Sequence, residues 1–184
     1  MSEILEDPID EKDKITDDVV LNLKPLSFKT IEDKEITKYI HWQCQKILEL
    51  AKDKNESKEV ARALNLETFE ILGTVMGKAH SVDIDFLVEQ MKDSDYAFLV
   101  MHNHPSDSSF SRKDIKTFSD SVNMTVLIVL GNKGSIYILE KTKQLFPNEL
   151  LSIRKTLLDW KNEVIDFSEV IEQIRTFGIV YSVM

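Results

Sequence analysis

Ile36, Ile40, Ile47 and Ala51, with Tyr39 and Leu50 beside them, recur at the spacing of one helical face. This predicts a helix from about Ile31 to Asp53. Thr30 is its candidate N-cap, acids at Glu32, Asp33 and Glu35 suit the first turn, and Lys54-Asn55-Glu56-Ser57 ends it. The period then shortens. Glu59 to Leu64 and Phe69 to Val75 read as paired strands around a turn at Asn65-Leu66-Glu67-Thr68, and His80 to Ile84 leads into a short helix ending near Met91. Tyr96 to Met101 is a continuous apolar run, as expected of a strand buried on both faces. A polar loop over 103–110 precedes a helix from about Arg112 to Ser121. Thr125 to Leu130 and Ser135 to Glu140 flank Gly131-Asn132-Lys133-Gly134, a hairpin pattern. From Pro147 the chain is again helical, with Leu150, Leu151, Ile153, Leu157, Leu158 and Val164 on one side, and Ser168 to Phe177 repeats the pattern. The order of elements predicts an α+β fold, a sheet with helices on its faces.

Residues 1–28 are acidic, contain Pro8 and Pro25 and show no period, so they read as a flexible or partner-docked arm. The expected division is an arm over 1–28, a helix over 29–56, a sheet-bearing domain over 57–142 and a helical extension over 143–184. The helix and the extension must cover their apolar faces, on the domain or on a second copy, so a homo-oligomer fits the pattern. The net charge is −9, of which residues 1–20, with eight acids and two lysines, hold −6. The rest is nearly balanced, and no concentrated basic stretch favours nucleic acid. No apolar run approaches membrane-spanning length. The acidic start does not resemble a secretory leader, and the single cysteine, Cys44, forms no internal disulfide; both suit a reducing cytoplasm.

The chemistry lies in Met101-His102-Asn103-His104-Pro105-Ser106-Asp107-Ser108-Ser109-Phe110-Ser111-Arg112-Lys113-Asp114. Two histidines two apart at a strand end project to one side. An aspartate returning from the next helix gives three ligands of N, N, O type, which suit a zinc ion with one position open to water. The blander alternatives are an idle pair of loop histidines and, for Ser111 to Asp114, a plain capping box at a helix start.

His102-Asn103-His104-Pro105 followed by Ser111-x-x-Asp114 resembles the signature of the JAB/MPN (JAMM) metallopeptidases, closest to the RadC-like prokaryotic branch. Six residues, 105–110, separate His104 from Ser111, one fewer than the family usually has. The resemblance covers roughly residues 57–142. It implies a mixed sheet flanked by helices with a cytidine-deaminase-like architecture, a bound Zn²⁺ on His102, His104 and Asp114, and an upstream glutamate that takes a proton from water. Glu59, about forty residues before the histidines at the start of a strand, fits that position; Glu70 is the rival. Ser111 is then expected to donate a hydrogen bond during catalysis. The implied activity is hydrolysis of an amide or isopeptide bond, with the tail of a ubiquitin-like protein or another extended peptide as substrate. Two other readings compete: a RadC-like accessory protein of DNA metabolism or mobile elements, and a catalytically silent scaffold.

Overall fold

The computed structural model describes residues 8–184. Six strands form one sheet in the order β2-β1-β3-β4-β5-β6: β1 (Val60–Asn65), β2 (Ile71–Met76), β3 (Phe98–His104), β4 (Met124–Gly131), β5 (Ile136–Lys141) and β6 (Ile179–Val183). All neighbouring pairs are antiparallel except β3–β4. That parallel pair needs a crossover, supplied by α4 (Arg112–Asp120). The sheet is therefore mixed and the fold is α+β.

Helices cover both faces. On one lies α2 (Lys34–Lys54), whose Ile40, Cys44, Ile47, Leu48 and Ala51 pack on Val60, Leu64, Leu99, Met101 and Ile128. Its N-cap is Asp33, whose carboxylate accepts the Glu35 and Ile36 N–H groups. Thr30, expected in that role, bonds Glu140 instead. Glu140 is fully buried on β5, and its carboxylate accepts the N–H groups of Lys29 and Thr30 and the Thr30 hydroxyl. These bonds offset the cost of burying the charge. On the other face lie α3 (Asp85–Met91), α4, α5 (Pro147–Lys161) and α6 (Phe167–Arg175), around Leu87, Ile115, Phe118, Ile153, Val170 and Ile174.

Two expected boundaries do not hold. Residues 8–28 do not form a loose arm. They make a 3₁₀ turn at Glu11–Asp13 and the short α1 (Asp17–Leu21), and they bury Ile15, Val20, Leu23 and Leu26 in the α2-side core. His41 on α2 bonds the Leu23 carbonyl at 3.0 Å. Residues 1–7, the rest of that expected arm, lie outside the described residues. The extension after 142 is not only helical. Its last segment is β6, which pairs along β5 from Lys141↔Ile179 to Tyr137↔Val183 and so belongs to the same sheet as residues 57–142. No helix of the described residues is long and apolar enough to cross a membrane.

Candidate metal centre

Strand alternation decides which side chains meet. Along β3, Phe98 and Val100 enter the core under α3–α6, while Leu99 and Met101 enter the core under α2. His102 and His104 continue the first set, at the C-terminal end of the strand, and Asn103 the second. The end of a parallel strand beside its crossover is where open sheets commonly place their sites. Six residues separate His104 from Ser111, the N-cap of α4, and Ser111 and Asp114 close a capping box. The Ser111 Oγ accepts the Asp114 N–H, and the Asp114 side chain accepts the Ser111 N–H. Asp114 thus sits in the first helical turn, facing the histidines.

The three donors converge. His102 Nε2 lies 3.0 Å from His104 Nε2 and 3.4 Å from Asp114 Oδ1, and His104 Nε2 lies 3.6 Å from Asp114 Oδ2. Tetrahedral bonds of about 2.0–2.2 Å place ligand atoms about 3.3–3.6 Å apart. The two Asp114 contacts, one through each oxygen, match that spacing and the histidine pair is closer; with one ligand atom from each residue the three lie within 4.8 Å of one another. Hydrogen bonds orient two of the three. His104 Nδ1 lies 3.0 Å from the Ser108 carbonyl, which requires an N–H there and leaves the Nε2 lone pair facing inward. Asp114 Oδ2 receives the Ser111 N–H and hydroxyl, both at 2.7 Å, and Oδ1 faces His102. An inward lone pair, a carboxylate and a second imidazole around one point call for positive charge between them. His102 Nδ1 is the exception among the buried polar side-chain atoms of the described residues, for it has no hydrogen-bond partner. The three residues could hold a metal ion.

The charges agree with this arrangement. For Asp114, burial acts upward, but the adjacent His102 and His104 and the Ser111 bond hold its carboxyl well below the usual carboxylate range. Burial alone would lower His102; the Asp114 carboxylate outweighs it and the shift is upward. His104 is lowered by burial and by the neighbouring His102.

Glu59 reaches the same pocket through register. Ala61 on β1 pairs with His102, so Glu59, two residues earlier, points to the face that carries both histidines. It is 6 % exposed, and it lines a cavity of roughly 260 Å³ with His104, Ser111 and Asp114. Burial pushes its carboxyl up to about 7, Asp114 adds to the rise, and His102 and Lys113 oppose it. Glu70 is exposed at the turn between β1 and β2, at the other end of β1. A six-residue strand puts about 20 Å between the two ends, so Glu70 stands apart from the histidines. Ser111 lines the cavity, but its one hydroxyl hydrogen goes to Asp114. In this arrangement it orients the Asp114 carboxylate and has no hydroxyl hydrogen left to donate elsewhere.

Residues without an assigned role in the sequence hold the site in place. Asp107, with φ 55°, pins the loop after His104: its carboxylate accepts the Lys133 N–H and the Ser135 hydroxyl, and its carbonyl accepts the Tyr137 hydroxyl. Phe110 is buried and packs edge-on to Tyr181 of β6 at 6.2 Å. The loop is therefore tied to the β4–β5 turn and to the last strand. An aspartate amid serines carries no signal of such a pin, because its partners lie 26 and 28 residues away. His80 is exposed on the cavity rim and is not one of the three convergent donors. Comparison with protein-family models, curated proteins and solved structures finds no match.

Proposed function

We propose that this chain is a zinc-dependent peptidase or isopeptidase of the JAB/MPN type, with His102, His104 and Asp114 holding the metal and Glu59 handling the proton. The observation that carries the reading is the placement of Glu59: a buried carboxyl, raised toward neutral pH, in one cavity with His104 and Asp114, two of the three convergent donors. A zinc ion held there supplies Lewis acidity, acidifying water and polarising a carbonyl. Glu59 is placed to accept a proton at its carboxylate and return it to a leaving amine, and a group that titrates near neutrality suits both transfers. Ser111 holds Asp114 in its rotamer, and Ser108 holds His104 in its tautomer. Both act as positioning residues. The buried strand end excludes bulk water on one side, and on the other the cavity opens to solvent past exposed His80, Ser106 and Lys113. A ubiquitin-like tail or another extended peptide is the substrate class that suits such a groove.

Elemental analysis of protein purified without chelator is expected to give one zinc per chain. The His102→Ala, His104→Ala double variant is expected to lose it, and full retention of zinc by that variant would overturn the ligand set. Glu59→Gln is expected to keep zinc and fold while losing about 10²–10⁴-fold in hydrolysis of peptide or ubiquitin-like fusion substrates. Glu70→Gln is expected to match wild type. An inactive Glu70→Gln beside an active Glu59→Gln would move the proton-transfer role to Glu70.

A further inference from the structure

A second, shallower trough continues outward from the Glu59 cavity. The two share Ser108 and Ser111. The trough runs between the start of α4 and the turn joining α5 to α6, over the rings of Trp160 and Phe167. These rings lie 5.5 Å apart and both are half-buried, so each keeps apolar surface toward solvent. Phe167 rests on Tyr181, 5.7 Å away, and Tyr181 in turn contacts Phe110 of the metal-site loop. One aromatic row therefore joins the trough to the loop that follows His104.

The junction carries positive charge. The Arg112 guanidinium lies 5.9 Å from the Trp160 ring centroid, is exposed, and makes no hydrogen bond or ion pair among the described residues. Lys113 lines the Glu59 cavity and also makes no ion pair among them. Two adjacent cations outside any ion pair of the described residues, Lys113 facing the Glu59 cavity and Arg112 facing the trough, mark a spot that attracts an anion.

We propose, building on the peptidase reading above, that this trough is a specificity subsite. It selects an extended peptide with a large apolar or aromatic side chain and a carboxylate beside it. Trp160 and Phe167 cover the apolar side chain, and such rings add to affinity beyond area alone. Arg112 takes the carboxylate: its planar fork of donors matches two carboxylate oxygens, and its guanidinium lies over the Trp160 ring at 5.9 Å. A single-stranded nucleic acid would also meet a cation and aromatic faces. The outer wall disfavours it, because past Arg112 the trough carries Glu163, Asp166 and Glu169 against Lys161 alone. A phosphate backbone would run along those acids, whereas a single carboxylate stops at Arg112.

The test uses full-length, zinc-loaded Glu59→Gln protein, so that peptide is bound and not consumed. The probes are fluorescein-labelled, end-blocked alanine octapeptides in which Phe and Glu occupy each adjacent pair of positions in turn, read singly by anisotropy. Matched sets carry Gln for Glu or Ala for Phe. The best Phe–Glu peptide is expected to bind about tenfold more tightly than its Gln counterpart, the size of one charge-assisted bond. Arg112→Gln, added to that background, is expected to remove this difference and keep the preference for Phe over Ala. Trp160→Ala is expected to remove the Phe preference; should it unfold, Phe167→Leu gives the same reading. Equal binding of Glu and Gln peptides, absence of binding, or a Glu preference that survives Arg112→Gln would overturn the proposal. Tighter binding of a twelve-residue oligothymidylate, lost with Arg112→Gln, would overturn it in favour of nucleic acid. Zinc content and wild-type cleavage are scored separately. Cleavage without the Glu preference removes the subsite alone, and the preference without zinc or cleavage removes the peptidase reading and leaves a peptide-binding site.

Discussion

The Asn103 side-chain oxygen accepts the Val60 N–H at 2.7 Å. The β1–β3 backbone ladder runs from Asn65↔Phe98 to Ala61↔His102, and this bond continues it one step further with a side chain. It joins the residue between the two histidines to the residue after Glu59. The Asn103 amide also donates to the Lys58 carbonyl and to Asn132 Oδ1, and Asn132 in turn donates to the carbonyls of Asp13 and Ser57. The network lies on the sheet face opposite His102 and His104 and fixes the chain on both sides of Glu59.

Asn103→Leu is expected to destabilise the fold by about 2–4 kcal/mol, because it leaves several buried polar partners unpaired at about 1–3 kcal/mol each. Urea unfolding midpoints measure this. Asn103→Asp keeps the acceptor for Val60 but sets a carboxylate against the Lys58 carbonyl and Asn132 Oδ1. Its stability deficit is expected to shrink as pH falls and the new carboxyl is protonated, whereas the Leu deficit stays constant. Parallel deficits across pH would show that the two amide donations contribute little.

Glu59 gives the metal-free protein a pH-dependent stability of defined sign. Its carboxyl is raised from an ordinary 4.5 to about 7, so between those values the folded chain holds a proton that the unfolded chain has released. The contribution is fully present below about pH 4.5 and is lost as pH rises through 7. At about 1.4 kcal/mol per pKa unit its full span is on the order of 3 kcal/mol. The difference in unfolding free energy between Glu59→Gln and wild type is expected to grow in favour of the variant over that window, in chelator. A flat difference would mean that the carboxyl is solvated in the folded chain.

Gly131 lies opposite His104 in the β3–β4 register. A Cβ built there falls 1.7 Å from Asp107 Oδ1. Gly131→Ala must therefore push Asp107 off Lys133 and Ser135, releasing the loop that carries Ser108. A loss of about 1–3 kcal/mol in stability is expected from the overpacking, together with weaker zinc binding by competition with a chromophoric chelator. Gly73→Ala is the control. Its Cβ meets Leu87 Cδ2 at 2.9 Å, between β2 and α3, so stability is expected to fall with zinc affinity unchanged.

The docked segment before α2 is open to a direct test. Leu23 is 5 % exposed in the α2-side core. Leu23→Ala is expected to cost about 2–5 kcal/mol, as for other buried leucines. A change near zero would show that the segment adds little to the folded state and behaves as the loose arm its composition suggests.

Local patterns reached part of the way to the site. Alternation along a strand places His102 and His104 on one side whatever the rest of the fold does, and Ser111-x-x-Asp114 writes a helix start that turns Asp114 back toward the strand end. The helical period of Ile36 to Ala51 and the Gly131–Gly134 turn were legible for the same reason: period and turn chemistry act over a few residues. The face on which Glu59 falls was not, because it depends on pairing Ala61 with His102, forty-one residues along the chain, and a slip of one residue would turn Glu59 to the α2 side. Nor were the docked segment and β6. Ile15, Val20, Leu23 and Leu26 follow no period, and Ile179–Val183 is a five-residue edge strand whose place is fixed by β5 and α6. The sequence alone determined which candidate groups lie near one another along the chain and which way each local element turns them. Tertiary structure decided which of them share a cavity, because strand register and docking are set by contacts between distant segments, and no local period encodes those.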